Sequence, residues 1–479
     1  MAQEQPAAQK LSLAALTAMV VGSMVGAGIF NLPARFGTAT GPFGAIIAWT
    51  IAGTGMYMLA RVFQSLANKR PEIDAGVFAY AKAGFGNYFG FLSAFGYWLS
   101  ATLGNVFYWV LIGTTLGTFF PEAFGDGSTV VAIAVSLIGI WSFHFMILGG
   151  IQQAAFINAV VTVAKIVPIL VALIAMVIAF NWDQFSANFW GGPYLAEKPL
   201  LLQIRDTMLI TVFVFIGIES ASVYSRFAKE RSHVGTATIL GFVGVTGLMV
   251  AVTMLPYALV PVSEVAGLRQ PSLAGALELV VGPWGRWFIS IGVLVSVLGA
   301  YLAWSLICAE ILFASAKSKD MPRIFARENK NKVPANALWA TNIVGSSFVI
   351  STYWSADAFN FMLDMATVCS LMPYLLVAGY GVMVARSAEF YRDGLGSQRV
   401  DLIIAWIAVV YVLFMFVAAG LKYVLLVTAL LGPGTVFYIW ARREQNAELF
   451  KSWEWIVLAV VLIGAAVGIV GLITGQITT

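Results

Sequence analysis

The sequence predicts an all-α integral membrane protein, and three observations carry that expectation. Of its 479 residues, 60% are hydrophobic and 10% are charged, against about 45–50% and about 25% in soluble globular chains. The mean hydropathy is +0.87. The charges gather in short clusters, and between them run apolar stretches such as 209–218 and 457–473. At about 1.5 Å per residue, roughly 20 apolar residues cross the hydrocarbon layer. The alternative, a large soluble core, would leave polar stripes on its helices, and these runs have none.

Turn residues and charge clusters punctuate the chain into about thirteen spans. They fall near 12–33, 42–67, 86–119, 129–148, 155–181, 206–228, 234–259, 284–316, 336–353, 357–385, 401–419, 422–441 and 453–474. The last division but one is made at Gly420-Leu421-Lys422. Residues 1–9 are polar and lack the pattern of a cleavable signal. Cys308 and Cys369 both fall inside apolar spans, so no disulfide framework is implied.

With the N-terminus placed in the cytoplasm, 20 of the 27 lysines and arginines fall on the inner side. Acids such as Glu122, Asp126, Asp183, Glu197 and Glu264 fall on the outer side. This is the positive-inside pattern, and it accounts for the net charge of +4 without a nucleic-acid partner. The expected partner is the lipid bilayer. No loop is long enough to hold a soluble domain.

Two spans read as interrupted helices. The first carries Val21-Gly22-Ser23-Met24-Val25-Gly26-Ala27-Gly28-Ile29-Phe30 and is expected to end at Pro33; the sixth carries Phe213-Val214-Phe215-Ile216-Gly217-Ile218-Glu219. Each glycine inside a helix costs about 1 kcal/mol, so three in seven residues invite unwinding. Bare peptide groups in hydrocarbon are tolerated only where they line a cavity or are buried in protein. A half-helix N-terminus offers N–H groups to a carboxylate, and freed carbonyls offer acceptors to an ammonium. Paired breaks of this kind point to a small-molecule site at mid-membrane. The alternative for Gly22 and Gly26 is close helix packing of the small-xxx-small type.

Charges within spans need a reason, because each costs about 2.5–3.5 kcal/mol on the mildest scale. Glu219 either satisfies freed backbone groups or carries a proton. Lys165 lies about ten residues into the fifth span, roughly 15 Å deep, which is too far for easy snorkelling. Asp364 either pairs with a cationic ligand group or bonds a neighbour such as Thr367. Trp304 stands mid-span beside polar positions, where its face suits a cation.

These motifs resemble the amino acid–polyamine–organocation superfamily, and within it the basic amino acid/polyamine antiporters. The resemblance rests on GSMVGAGIF with Pro33, FIGIESASV, Tyr97-Trp98-Leu99 with Gly104-Asn105, Trp304, the segment 321–327, and Pro373-Tyr374-Leu375. It implies a LeuT-like five-plus-five inverted repeat with discontinuous helices 1 and 6, followed by two or three accessory helices. The implied organisation is a cytoplasmic tail at 1–11, a core at 12–385 (repeats near 12–181 and 206–385) and accessory helices at 386–479.

By the same resemblance, the backbone of Ala27 and Gly28 would hold a substrate carboxylate. Carbonyls near Met24, Phe213 and Ile216 would hold the α-ammonium, and Asn105 and Trp304 would contact the substrate side chain. Tyr97 and Glu219 would serve the gate. Lys165 resembles a fifth-helix lysine whose ammonium stands in for a sodium ion. Phe213 replaces a gating tryptophan, which keeps an aromatic lid without its indole N–H. The implied activity is exchange of a cationic amino acid for a related amino acid or polyamine across a bacterial inner membrane, with no cofactor. Proton-coupled uptake is the alternative, and a channel or sensor is the alternative from another class. No zinc-ligand pattern, Ser/His/Asp set or phosphate loop suggests an enzyme. A homodimer is compatible with the resemblance.

Overall fold

The computed structural model describes residues 12–73, 77–150, 154–218, 231–355, 357–391 and 396–477, and among these the regular structure is entirely helical. The first span is two pieces, α1 (Leu13–Met24) and α2 (Leu32–Ala39), joined by a 3-10 turn over Ala27–Asn31. The expectation that this span ends at Pro33 is corrected. Pro33 sits in the first turn of α2, where its missing N–H costs nothing, and the helix continues to Ala39.

Then come α3 (Pro42–Lys69), the short α4 (Val77–Phe85), α5 (Asn87–Leu116), α6 (Val130–Leu148) and α7 (Ala154–Ile178). The sixth span opens as α8 (Leu200–Phe213), six residues earlier than expected because Pro199 marks its start. Its continuation at 219–230 lies outside the described residues. The remaining helices of more than seven residues are α9 (Arg231–Met254), α10 (Ser272–Val281), α11 (Pro283–Lys317), α12 (Ala335–Ser351), α13 (Ala358–Arg386), α14 (Gln398–Glu444) and α15 (Glu454–Ile473). Eight of the described helices are by themselves long and apolar enough to cross a membrane.

Helix α14 has 47 residues, about 70 Å if straight, more than twice the hydrocarbon thickness. It does not run straight. Gly420 has φ 77° and ψ 164°, a conformation essentially reserved for glycine. Both ends of α14 then return to one face of the protein. Near its start Asp401 pairs with Lys69 and accepts from Ser65 at 3.1 Å, and just past its end Gln445 donates to the Lys319 carbonyl at 2.8 Å. The expected division at Gly420-Leu421-Lys422 is thus a fold-back. Gly420→Val is expected to destabilise the protein by about 1–3 kcal/mol, read as earlier thermal unfolding in detergent. Leu421→Ala, at a side chain 72% exposed, is the control and should change little.

Side-chain contacts sort the connections onto two faces. On one, Lys82 pairs with Asp320 at 2.7 Å, the Arg323 N–H donates to Glu444 at 2.8 Å, and Asn329 donates to the Leu148 carbonyl at 3.0 Å. This face collects the basic segment 317–332 with the ends of α3, α13 and α14. On the opposite face, the Asn188 amide nitrogen donates to the carbonyls of Tyr257 at 2.7 Å and Val260 at 2.8 Å. The Asn188 Oδ1 accepts from the Val262 N–H at 3.2 Å, and the Tyr257 hydroxyl donates to Thr40 at 2.7 Å.

Candidate functional site

At the first break, the Val25 N–H closes the last α-helical bond, to Val21 at 2.9 Å. The Gly26 N–H turns instead to Met24 at 2.9 Å, so the Gly22 carbonyl loses the donor that a continuous helix would give it. Gly26 is extended (φ −101°, ψ −163°), and Ala27 and Gly28 open the buried 3-10 turn. The N–H groups at those first positions have no partner within a helix. The Asn31 amide steadies the turn by donating to the Ala27 carbonyl at 3.0 Å.

The second break follows α8. The N–H groups of Phe215, Ile216 and Ile218 bond three residues back, at 3.0, 3.2 and 3.1 Å, so the α-helix has given way to tight turns. Gly217 takes φ 108°. The Phe213 ring stands on edge against Phe107, centroids 5.1 Å apart.

The breaks face one another across a small, partly open cavity of about 40 Å³. Met24, Gly26, Ala27 and Gly28 line it from the first break, and Phe213, Val214 and Ile216 from the second. Helix α5 contributes Ser100, Ala101, Gly104 and Tyr108, and α11 contributes Trp304. Six of the residues expected from sequence therefore meet at one place: Met24, Ala27, Gly28, Phe213, Ile216 and Trp304. The carbonyls of Met24 and Phe213 each accept one backbone bond already, and each keeps a second lone pair.

Asn105, Tyr97 and Asp364 do not line the cavity, and Glu219 lies outside the described residues. Asn105 is one position past the lining Gly104, so its side chain leaves the helix on a neighbouring azimuth. Its amide lies within 3.4 Å of the Ser305 hydroxyl and 3.6 Å of the Cys308 sulfur, and its Oδ1 is buried without a hydrogen bond. Tyr97 is buried on α5, a turn before Ala101.

Lys165 reaches the first break. Its Nζ donates to the Gly22 carbonyl at 2.5 Å, and the residue is only 6% exposed. The acceptor is the same carbonyl that the break deprived of its helical donor.

Asp364 is paired within the protein. Its Oδ1 accepts from Arg35 Nη2 at 2.7 Å and its Oδ2 from the Tyr423 hydroxyl at 3.1 Å. The Thr367 hydroxyl instead donates to the Leu363 carbonyl at 2.9 Å. Sequence reasoning passed over Arg35, which is 329 positions from its acid, and Tyr423, which the fold-back of α14 delivers. It also passed over Ser100 and Tyr108. With Gly104 these recur every four residues, a spacing that puts all three on one helix face.

Known proteins resemble this chain in sequence. Residues 11–429 match the family described as Amino acid permease, and the chain belongs to that family. Over 480 residues it is 47% identical to a protein of Pseudomonas aeruginosa called arginine/ornithine antiporter, covering 99% of each chain. It is 38% identical to an arginine/agmatine antiporter of Chlamydia abortus, covering 92% of each. It is also 38% identical to the L-lysine transport protein of Corynebacterium glutamicum, covering 98% of this chain and 96% of that one.

Proposed function

We propose that the protein exchanges a cationic amino acid, such as arginine, ornithine or lysine, for a related amino acid or polyamine by alternating access. The observation that carries this reading is the cavity between two helix breaks. The first break offers N–H groups that have no partner within a helix, and both breaks offer carbonyls, which together suit a zwitterion. The names of the relatives add the cationic side chain.

In this reading the N–H groups of Ala27 and Gly28 hold the carboxylate, and the carbonyls of Met24, Phe213 and Ile216 hold the α-ammonium. The Trp304 face stacks on the cationic end, and Asn105, one position past the lining Gly104, supports that end from outside the cavity. Tyr97 and Glu219 serve the gate. The helices to residue 385 form the inverted repeats, near 12–181 and 206–385, and those beyond are accessory. The basic face is cytoplasmic, as the positive-inside pattern implies, in a bacterial inner membrane.

A second reading, proton-coupled uptake, draws on Lys165. An ammonium at the break of α1 is placed where its charge state would alter the site. A flux experiment separates the two. Proteoliposomes preloaded with unlabelled arginine are expected to take up labelled arginine or ornithine severalfold faster than empty ones. If preloading has no effect while an inward proton gradient drives accumulation, the second reading replaces the first.

A further inference from the structure

Besides the central cavity, a second set of cation-binding groups sits between α2, α13 and the bend of α14. It lies towards the face opposite the basic segment. Asp364 is its floor and is 6% exposed. The Tyr423 ring, whose hydroxyl bonds Asp364, lies near that of Phe361, centroids 6.3 Å apart and inclined by 33°. The Lys422 ammonium lies 5.3 Å from the Tyr423 centroid and 6.0 Å from that of Phe361. An acid with aromatic rings close by is cation-binding chemistry, and here two of the protein's own cations stand there, Arg35 on the acid and Lys422 by the rings.

Arg35 is an incomplete occupant. Its Nη2 meets one carboxylate oxygen, while its Nε is buried with no hydrogen-bond partner. A free guanidinium can bring two parallel N–H groups to a carboxylate. The pair is also within reach of solvent, since the side chains of Arg35 and Asp364 keep 16% and 9% of their surface exposed.

The geometry points to this cup as an encounter site for an external guanidinium or primary ammonium, with Arg35 as a tethered competitor that the incoming cation displaces. Displacement frees α2 from α13, so arrival of a cation and loosening of the outer contact become one event. The consequence for transport rests on the exchanger reading above, whereas binding to the cup does not.

The test uses the purified full chain, with methylguanidinium as probe in calorimetric titrations and labelled arginine in proteoliposomes. Arg35→Gln should tighten methylguanidinium binding at least fivefold and lower the external KM for arginine. Asp364→Asn should abolish the binding and raise that KM about tenfold. Tyr423→Phe keeps the ring, should weaken binding two- to fivefold, and decides the matter with Arg35→Gln if Asp364→Asn does not fold.

The inference is overturned if Arg35→Gln weakens binding as much as Asp364→Asn does. It is equally overturned if the exchanged pair Arg35→Asp/Asp364→Arg restores wild-type behaviour, because the contact is then a structural tie alone. Wild-type exchange with no binding of methylguanidinium removes the cup and leaves the exchanger. The expected binding pattern without exchange of any cationic amino acid removes the exchanger and leaves the cup.

Discussion

Gly28→Val is expected to lower cationic amino-acid exchange at least a hundredfold while the protein still elutes as a folded particle. A Cβ at residue 28 would lie 2.7 Å from Val214 Cγ1 and 3.0 Å from Phe213 Cδ1, so something must move. Val214 is only 4% exposed and lines the same cavity. The breaks are therefore pushed apart, and the γ-methyl groups of valine enter the space a carboxylate needs. Hydrogen bonds to a charged group are worth about 1.5–3 kcal/mol each, so losing two is about a hundredfold or more. Uptake into arginine-preloaded proteoliposomes is the measurement. A rate within threefold of the wild type would remove the Ala27–Gly28 backbone from the binding site.

Lys165→Met should lower exchange ten- to a hundredfold for a different reason. It leaves the Gly22 carbonyl, half-buried, with neither its helical donor nor the lysine. An unsatisfied buried acceptor costs about 1–3 kcal/mol, and the elbow of α1 is expected to drift from its position. Lys165→Gln retains an N–H donor but no charge. If the hydrogen bond is what matters, Gln recovers part of the lost rate, equally at pH 5.5 and pH 8. If a titrating ammonium drives uptake, Gln is as poor as Met and the pH dependence of the rate disappears. Initial rates for the three proteins at the two pH values decide between exchange and proton coupling.

Local sequence carried much of this site. Gly22, Gly26 and Gly28 announced the first break, because glycine weakens a helix wherever it stands, and Gly217 beside an acid announced the second. Trp304 was legible for a like reason: a large aromatic among polar positions in mid-span asks for a partner. The side-chain partners were less legible because they are set by tertiary approach. Asp364 faced two alternatives on sequence grounds, a ligand cation or Thr367, and the structure gives it Arg35 and Tyr423 from elements far away in the chain. Asn105 illustrates a finer limit. One step along a helix turns a side chain by about 100°, so Gly104 lines the cavity while Asn105 faces Ser305 and Cys308. The course of α14 was legible where a glycine and a lysine interrupt its apolar run, since the division expected at Gly420-Leu421-Lys422 falls where Gly420 leaves helical dihedral angles.

The loops opposite the basic segment behave as a plate. Asn188 rivets three backbone groups together, and Tyr257 fastens the assembly to Thr40, where α2 ends. Arg35 rides on α2, and Asp364 belongs to α13 beyond the plate's rim. If a cation displaces Arg35 from Asp364, as inferred above, none of these other ties has to break.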